Sequence, residues 1–193
     1  MSRIGILGGT FDPPHNGHIA MAETAIRKLK LKEVIFVPAK TPPHKSREEI
    51  SSQQDRLAML KLAVGGRNKF RISEIEFNRR GPSYTVDTLA ELQRQNPDDE
   101  FYFLIGADNI SDMESWYQPE RILEIVKVAA AGRPGFSPEG KFSAMIESFD
   151  MTPVSVSSTM IREKVRSDQS ISGLLPSAVE EYILKRNLYK ANE

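Results

Sequence analysis

The 193-residue chain is predicted to adopt an α/β fold, a parallel sheet covered by helices on both faces with a small helical extension after it. Three observations carry that expectation. Short apolar runs alternate with amphipathic helical patterns, as in βαβ units. One run, Phe101-Tyr102-Phe103-Leu104-Ile105, is apolar at every position, as a strand buried on both faces must be. The glycines, prolines and hydroxyl residues that break the pattern fall after the strands, where open parallel sheets bind their ligands.

The elements follow in order. Ile4 to Leu7 is a first strand, and Gly17 to Leu31 a helix with Ile19, Ala22, Ile26 and Leu29 on one face. Glu33 to Val37 is a buried strand that Pro38 ends. Ser52-Gln53-Gln54-Asp55 is a capping box opening a helix to Val64, with Leu57, Leu60 and Val64 inward. Phe70 to Ile75 alternates like a half-exposed strand, and Ser83 is placed to cap a helix reaching Gln95 with Val86, Leu89 and Leu92 inward. After the Phe101–Ile105 strand come a short helix over 120–125 and a strand over 126–131. Residues 136–150 carry no periodic signal and are assigned to a connection leading into a strand near Thr152–Val156. Helices then begin at Ser157-Ser158-Thr159 and at Ser177, the last ending near Leu188. The sum is a Rossmann-like sheet. With no linker, repeat or low-complexity tract, residues 1–193 are expected to form one domain.

Composition narrows the function. The chain is 39% hydrophobic and 27% charged, with zero net charge, which argues against a dedicated nucleic-acid binder. Without cysteine there is no disulfide, thiolate nucleophile or cysteine-ligated zinc. Gly8-Gly9 and Asp12 interrupt the first apolar run, and no apolar stretch reaches 18 residues. The expected compartment is therefore the cytoplasm, with no membrane partner.

Chemistry concentrates at Gly8-Gly9-Thr10-Phe11-Asp12-Pro13-Pro14-His15-Asn16-Gly17-His18, between the first strand and the first helix. The glycines let backbone N–H groups approach an anion, and the prolines stiffen the loop that delivers His15 and His18. Two of the three histidines lie here, spaced to face one ligand together. The spacing fits neither the dinucleotide fingerprint nor a P-loop. Three readings stay open on pattern alone: a phosphate site, a metal site built on His-x-x-His beside Asp12, and a structural turn. His44 and Lys45 form a cationic pair on a second stiff turn after Pro42-Pro43. Ser157, Ser158 and Thr159 at a helix start, with Arg162 one turn in, suit a second anion. Asp108, after Gly106 at the end of the apolar strand, is placed either to accept from ribose hydroxyls or to cap a helix. Trp116 and Tyr117 follow in the next loop.

The first stretch resembles the signature of the HxGH nucleotidyltransferases, and with its Gly-Gly-Thr-Phe-Asp-Pro opening it resembles the bacterial nicotinate-nucleotide adenylyltransferases in particular. The likeness runs from Ile4 to Tyr189. It takes in Pro-Pro-His-Lys at 42–45, Pro82-Ser83-Tyr84-Thr85, Gly132-Arg133-Pro134-Gly135 and Ser157-Ser158-Thr159-Met160-Ile161-Arg162. It implies transfer of AMP from ATP, carried with Mg²⁺, to nicotinic acid mononucleotide, with no metal held by the protein's own residues. It further implies His15, His18, Lys45 and Arg162 as catalytic residues. Gly8, Gly9, Thr10, Phe11, Gly106, Asp108, Arg133, Ser157, Ser158 and Thr159 would bind ATP. Ser83, Tyr84, Thr85, Trp116, Tyr117 and His44 would bind the mononucleotide. Lys40 departs from the asparagine common in that family, and no role is carried onto it.

Chemistry agrees with that implication. A phosphate monoester with a second pKa near ~6 is already a dianion at neutral pH and needs no general base. Pyrophosphate leaves as a metal-bound anion, so positioning and charge stabilisation remain. The alternatives are transfer to nicotinamide mononucleotide or phosphopantetheine, and a non-catalytic nucleotide sensor. A class I aminoacyl-tRNA synthetase would need a tRNA-binding extension that this chain lacks. A homo-oligomer stays open.

Overall fold

The computed structural model describes residues 1–41, 50–79 and 81–190. Among them six strands form one sheet: β1 (Arg3–Gly9), β2 (Glu33–Pro38), β3 (Phe70–Ile72), β4 (Glu100–Gly106), β5 (Lys127–Gly132) and β6 (Ile146–Asp150). Their order is β3-β2-β1-β4-β5-β6, and every neighbouring pair is parallel. The helices are α1 (Asn16–Lys28), α2 (Gln53–Val64), α3 (Thr85–Gln95), α4 (Asn109–Asp112), α5 (Pro119–Ile125), α6 (Ser158–Arg166) and α7 (Ser177–Lys185).

Alternation along the strands sorts the core into two layers. Leu7, Val34, Phe36, Leu104 and Ala129 face α1, α2, α6 and α7, where Ala22, Leu60, Ile161 and Ile183 are buried against them. Ile6, Ile35, Val37, Phe103 and Ala130 face α3 and α5, meeting Val86, Leu89, Leu92 and Ile122. A sheet covered on both faces needs apolar residues at successive strand positions, which is why these runs do not alternate with polar ones.

Four sequence expectations change. The strand expected over 152–156 is absent, and β6 lies at Ile146–Asp150 instead. That edge strand buries only Ile146 and Phe149, too little for a periodic signal, while 152–156 is the extended path from the sheet to α6. β3 stops at Ile72, short of the expected Ile75. Ser83 does not cap α3: Tyr84 holds the N-cap position with no side-chain cap, and the Ser83 hydroxyl turns to the loop after β2. Finally, α2 buries the expected Leu60 and Val64 but leaves Leu57 half-buried, and Asp55, Arg56, Met59 and Ala63 are buried as well. Asp55 and Arg56 are charged, and buried charges are paired. Asp55 accepts from Ser52 (2.6 Å), Tyr182 (2.8 Å) and Arg186 (3.3 Å), which ties α7 to the start of α2.

Candidate active site

The strand order reverses between β1 and β4, and a crevice opens there beyond the carboxyl ends of the strands. A cleft of about 580 Å³ occupies it, lined by Gly8, Gly9 and Thr10 from the end of β1 and by Gly106 and Asp108 from the end of β4. A second cavity of about 420 Å³ shares Met21, Gly106, Asp108, Met151 and Val154 with the first, and it reaches Arg133 after β5.

His15 is the N-cap residue of α1, and its own N–H donates to Nδ1 of His18 at 3.1 Å. That bond leaves the proton of a neutral His18 on Nε2. The two rings stack with centroids 3.7 Å apart, and Phe11 meets His18 edge-on at 5.0 Å. A Cβ at position 17 would come within 3.0 Å of His15 Nδ1, so only glycine leaves the ring where it is. Burial holds His15 down to about pKa 4, and burial followed by the charge of His15 holds His18 down to about 3. Both are thus neutral hydrogen-bonding groups at physiological pH, and His15 Nδ1 is buried with no partner among the described residues.

A prediction follows from those depressed values. Above the ordinary value of 6.5 both rings are neutral whether the chain is folded or not, and their contribution to stability is fully present. As pH falls below 6.5 the unfolded chain takes protons that the folded one refuses, so stability declines toward about pH 3. Urea midpoints measured from about pH 7 to about pH 4 should fall more steeply for the parent than for a His15→Gln/His18→Gln variant. Parallel slopes would show that the pair is not held neutral.

α6 meets the first loop from the other side. Ser157 caps the helix by accepting from Met160 N, and the Ser158 hydroxyl donates to the Pro13 carbonyl at 2.8 Å. Arg162 donates through Nη1 to the Asp12 carbonyl at 2.8 Å and through Nη2 to Thr159 Oγ1 at 3.3 Å, while its buried Nε has no partner among the described residues. The three hydroxyl side chains are therefore engaged within the protein. What α6 has left to offer an anion is its unpaired first-turn N–H groups and the second N–H of each Arg162 terminal nitrogen.

Trp116, Thr85, Ser83 and Glu76 also line the cleft. Trp116 is half-buried and packs edge-on to Phe103 at 6.0 Å, so it both lines the cleft and belongs to the core. Tyr117 is exposed and pairs with Tyr84 at 4.5 Å, outside the cleft lining. Ser83 is committed internally, since its N–H donates to Thr41 O and its Oγ accepts from Lys40 N and Thr41 N. Lys40 holds the adjoining turn, with Nζ on the carbonyls of Phe77 (3.0 Å) and Arg79 (2.6 Å). His44 and Lys45 lie outside the described residues.

Sequence reasoning missed Arg56, Glu76 and Tyr189, and it weighed Asp12 only as a companion to a metal site. Asp12 is 2% exposed and Arg56 1% exposed; Arg56 donates to Thr10 O at 2.8 Å and Ser51 O at 3.3 Å, bracing the first loop from beneath. Glu76 is buried, accepting from Thr88 Oγ1 at 2.7 Å and Lys40 N at 3.4 Å. Tyr189, beyond α7, donates to Asp12 Oδ1 at 2.7 Å. Arg56 follows Asp55 of the capping box and reads as an ordinary helix-surface charge; nothing local marks Glu76 or Tyr189. Among the described residues no three His, Asp or Glu side chains gather into a metal-holding group.

A cleft at a strand-order reversal, lined by two histidines and a glycine-rich strand end, is what a nucleotide-handling α/β enzyme presents, and residues 6–164 match the cytidylyltransferase-like family. The chain belongs to that family, within its nicotinate-nucleotide adenylyltransferases. It is 46% identical over 194 residues to a probable nicotinate-nucleotide adenylyltransferase of Halalkalibacterium halodurans, covering 100% of this chain and 94% of the relative. It is 39% identical to the nicotinate-nucleotide adenylyltransferase of Bacillus subtilis, covering 99% of this chain and 100% of that one. The fold is shared with the Plasmodium falciparum nicotinic acid mononucleotide adenylyltransferase complexed with NaAD, at TM-score 0.79 and 22% identity over 98% of each chain.

Proposed function

We infer that the chain transfers AMP from ATP to nicotinic acid mononucleotide, forming deamido-NAD and pyrophosphate in NAD biosynthesis. The observation that carries this is full-length identity of 39% and 46% to the two adenylyltransferases named above. A phosphate oxygen of the mononucleotide attacks the α-phosphorus of ATP in line. The bond to the bridging oxygen breaks, and its electron pair leaves with pyrophosphate. The acceptor is already a dianion, so no residue has to remove a proton. Mg²⁺ enters with ATP as part of the substrate.

The residue roles are proposals of the same reading. His18, neutral and with its proton on Nε2, donates to the α-phosphate as charge builds there, and His15 supports it. The Arg162 guanidinium and the start of α6 take the β- and γ-phosphates, with Lys45 assisting. Gly106, Asp108 and Arg133 face the adenosine half across the second cavity. The mononucleotide lies between Trp116 and the first turn of α3. That turn leaves backbone N–H groups without helical partners, and Thr85 adds a hydroxyl. Such donors satisfy every lone pair of a carboxylate but offer the amide NH₂ of nicotinamide no acceptor.

Residues 1–193 act as one catalytic unit in the cytoplasm in this reading. Among the described residues no helix is long and apolar enough to cross a membrane. Pyrophosphate release on mixing the protein with MgATP and each acceptor tests the reading. Release is expected with nicotinic acid mononucleotide and not with phosphopantetheine. ATP binding with no release for any acceptor would favour a nucleotide sensor.

A further inference from the structure

We propose that Tyr189 is a positioning residue for the triphosphate, acting through Asp12 on Arg162. The inference rests on the nucleotidyl-transfer reading of the cleft, and it goes beyond it in making the segment after α7 part of the machinery. Tyr189 donates to Asp12 Oδ1 at 2.7 Å across 177 residues of sequence. Ser51 N–H occupies the other carboxylate oxygen at 3.1 Å. With both oxygens held and the side chain 2% exposed, Asp12 has no freedom to turn, so its backbone carbonyl points one way only. That carbonyl is the acceptor for Arg162 Nη1 at 2.8 Å. Arg162 is thereby held by its terminal nitrogens, each of which keeps a second N–H for a ligand, while Nε is buried with no partner among the described residues.

Backbone strain marks the same place. Phe11, next to Asp12, has φ +52°, and Tyr189 has φ +66°. Non-glycine residues persist in that left-handed region where their surroundings over-determine them. Phe11 is also the ring against which His18 packs, so the loop held by Tyr189 carries both the histidine support and the arginine acceptor. Burial first, and then Asp12, push the Tyr189 hydroxyl above the usual tyrosine range, so it stays a donor throughout the working pH range. Removing the hydroxyl would leave Asp12 Oδ1 buried without its partner and let the loop relax.

The experiment is calorimetric titration of ATP alone, and of nicotinic acid mononucleotide alone, into the parent protein and Tyr189→Phe. Phenylalanine keeps the ring packing and deletes only the donor. ATP affinity is expected to fall about tenfold, with mononucleotide affinity unchanged. Tyr182→Phe is the matched comparison, because it deletes a tyrosine–carboxylate bond of similar length (2.8 Å, to Asp55) that does not lead to Arg162. It should leave ATP affinity unchanged even if it costs as much thermal stability. All titrations are run in the cold, well below the unfolding midpoints. In an Arg162→Ala background, Tyr189→Phe should add no further loss of ATP affinity. Parent-like ATP binding by Tyr189→Phe, equal losses for ATP and mononucleotide, or losses that simply add to those of Arg162→Ala would each overturn the role. Failure of the parent protein to bind ATP would overturn the nucleotidyl-transfer reading along with it.

Discussion

His18→Ala is expected to lower turnover by about 10²–10³-fold while leaving the fold intact, the usual cost of deleting one preorganised donor to developing charge. The expectation is sharper than the sequence alone allowed. His18 is neutral, so what the variant loses is an N–H aimed by the bond from His15 N to Nδ1, rather than a cation. His18→Asn should recover part of the activity, since its amide can still donate. The kcat of a variant whose thermal midpoint matches the parent decides the matter. Near-parent turnover would remove His18 from the reacting centre.

The second large effect is expected at α6. Arg162→Ala combined with Ser158→Ala should weaken ATP by at least about 1.5–3 kcal/mol, the range for a lost hydrogen bond to a charged group. Binding of the mononucleotide should change far less. The reason is spatial: Arg162 and Ser158 grip the loop at Asp12 and Pro13, whereas Trp116 lines the cleft and packs on Phe103. Equal losses for both substrates in separate titrations would show that α6 only supports the loop.

Most of the scaffold was legible because its signals are local. Phe101–Ile105 reads as buried from its own composition, and Val86, Leu89 and Leu92 face the core as their spacing predicts. β6 was not legible, since an edge strand with two buried residues leaves no pattern distinct from a loop. In the site, His15, His18, Gly106, Asp108, Thr85 and Trp116 do meet around one cleft. Ser83 does not offer its backbone N–H or hydroxyl lone pairs to the cleft, because the loop after β2 uses them, and Tyr84 and Tyr117 pair with each other at its margin. Arg56, Glu76 and Tyr189 escaped notice for one shared reason. Each matters through a partner more than ten residues away in sequence, and no spacing rule encodes that.

The central claim is that this cleft joins ATP to a mononucleotide carrying a free pyridine carboxylate. Its most direct test supplies MgATP with equal concentrations of nicotinic acid and nicotinamide mononucleotides, then separates the products. The donors at the first turn of α3 and at Thr85 predict deamido-NAD in large excess over NAD, with one pyrophosphate released for each dinucleotide formed. Equal amounts of the two dinucleotides, or dinucleotide formation without stoichiometric pyrophosphate, would contradict it.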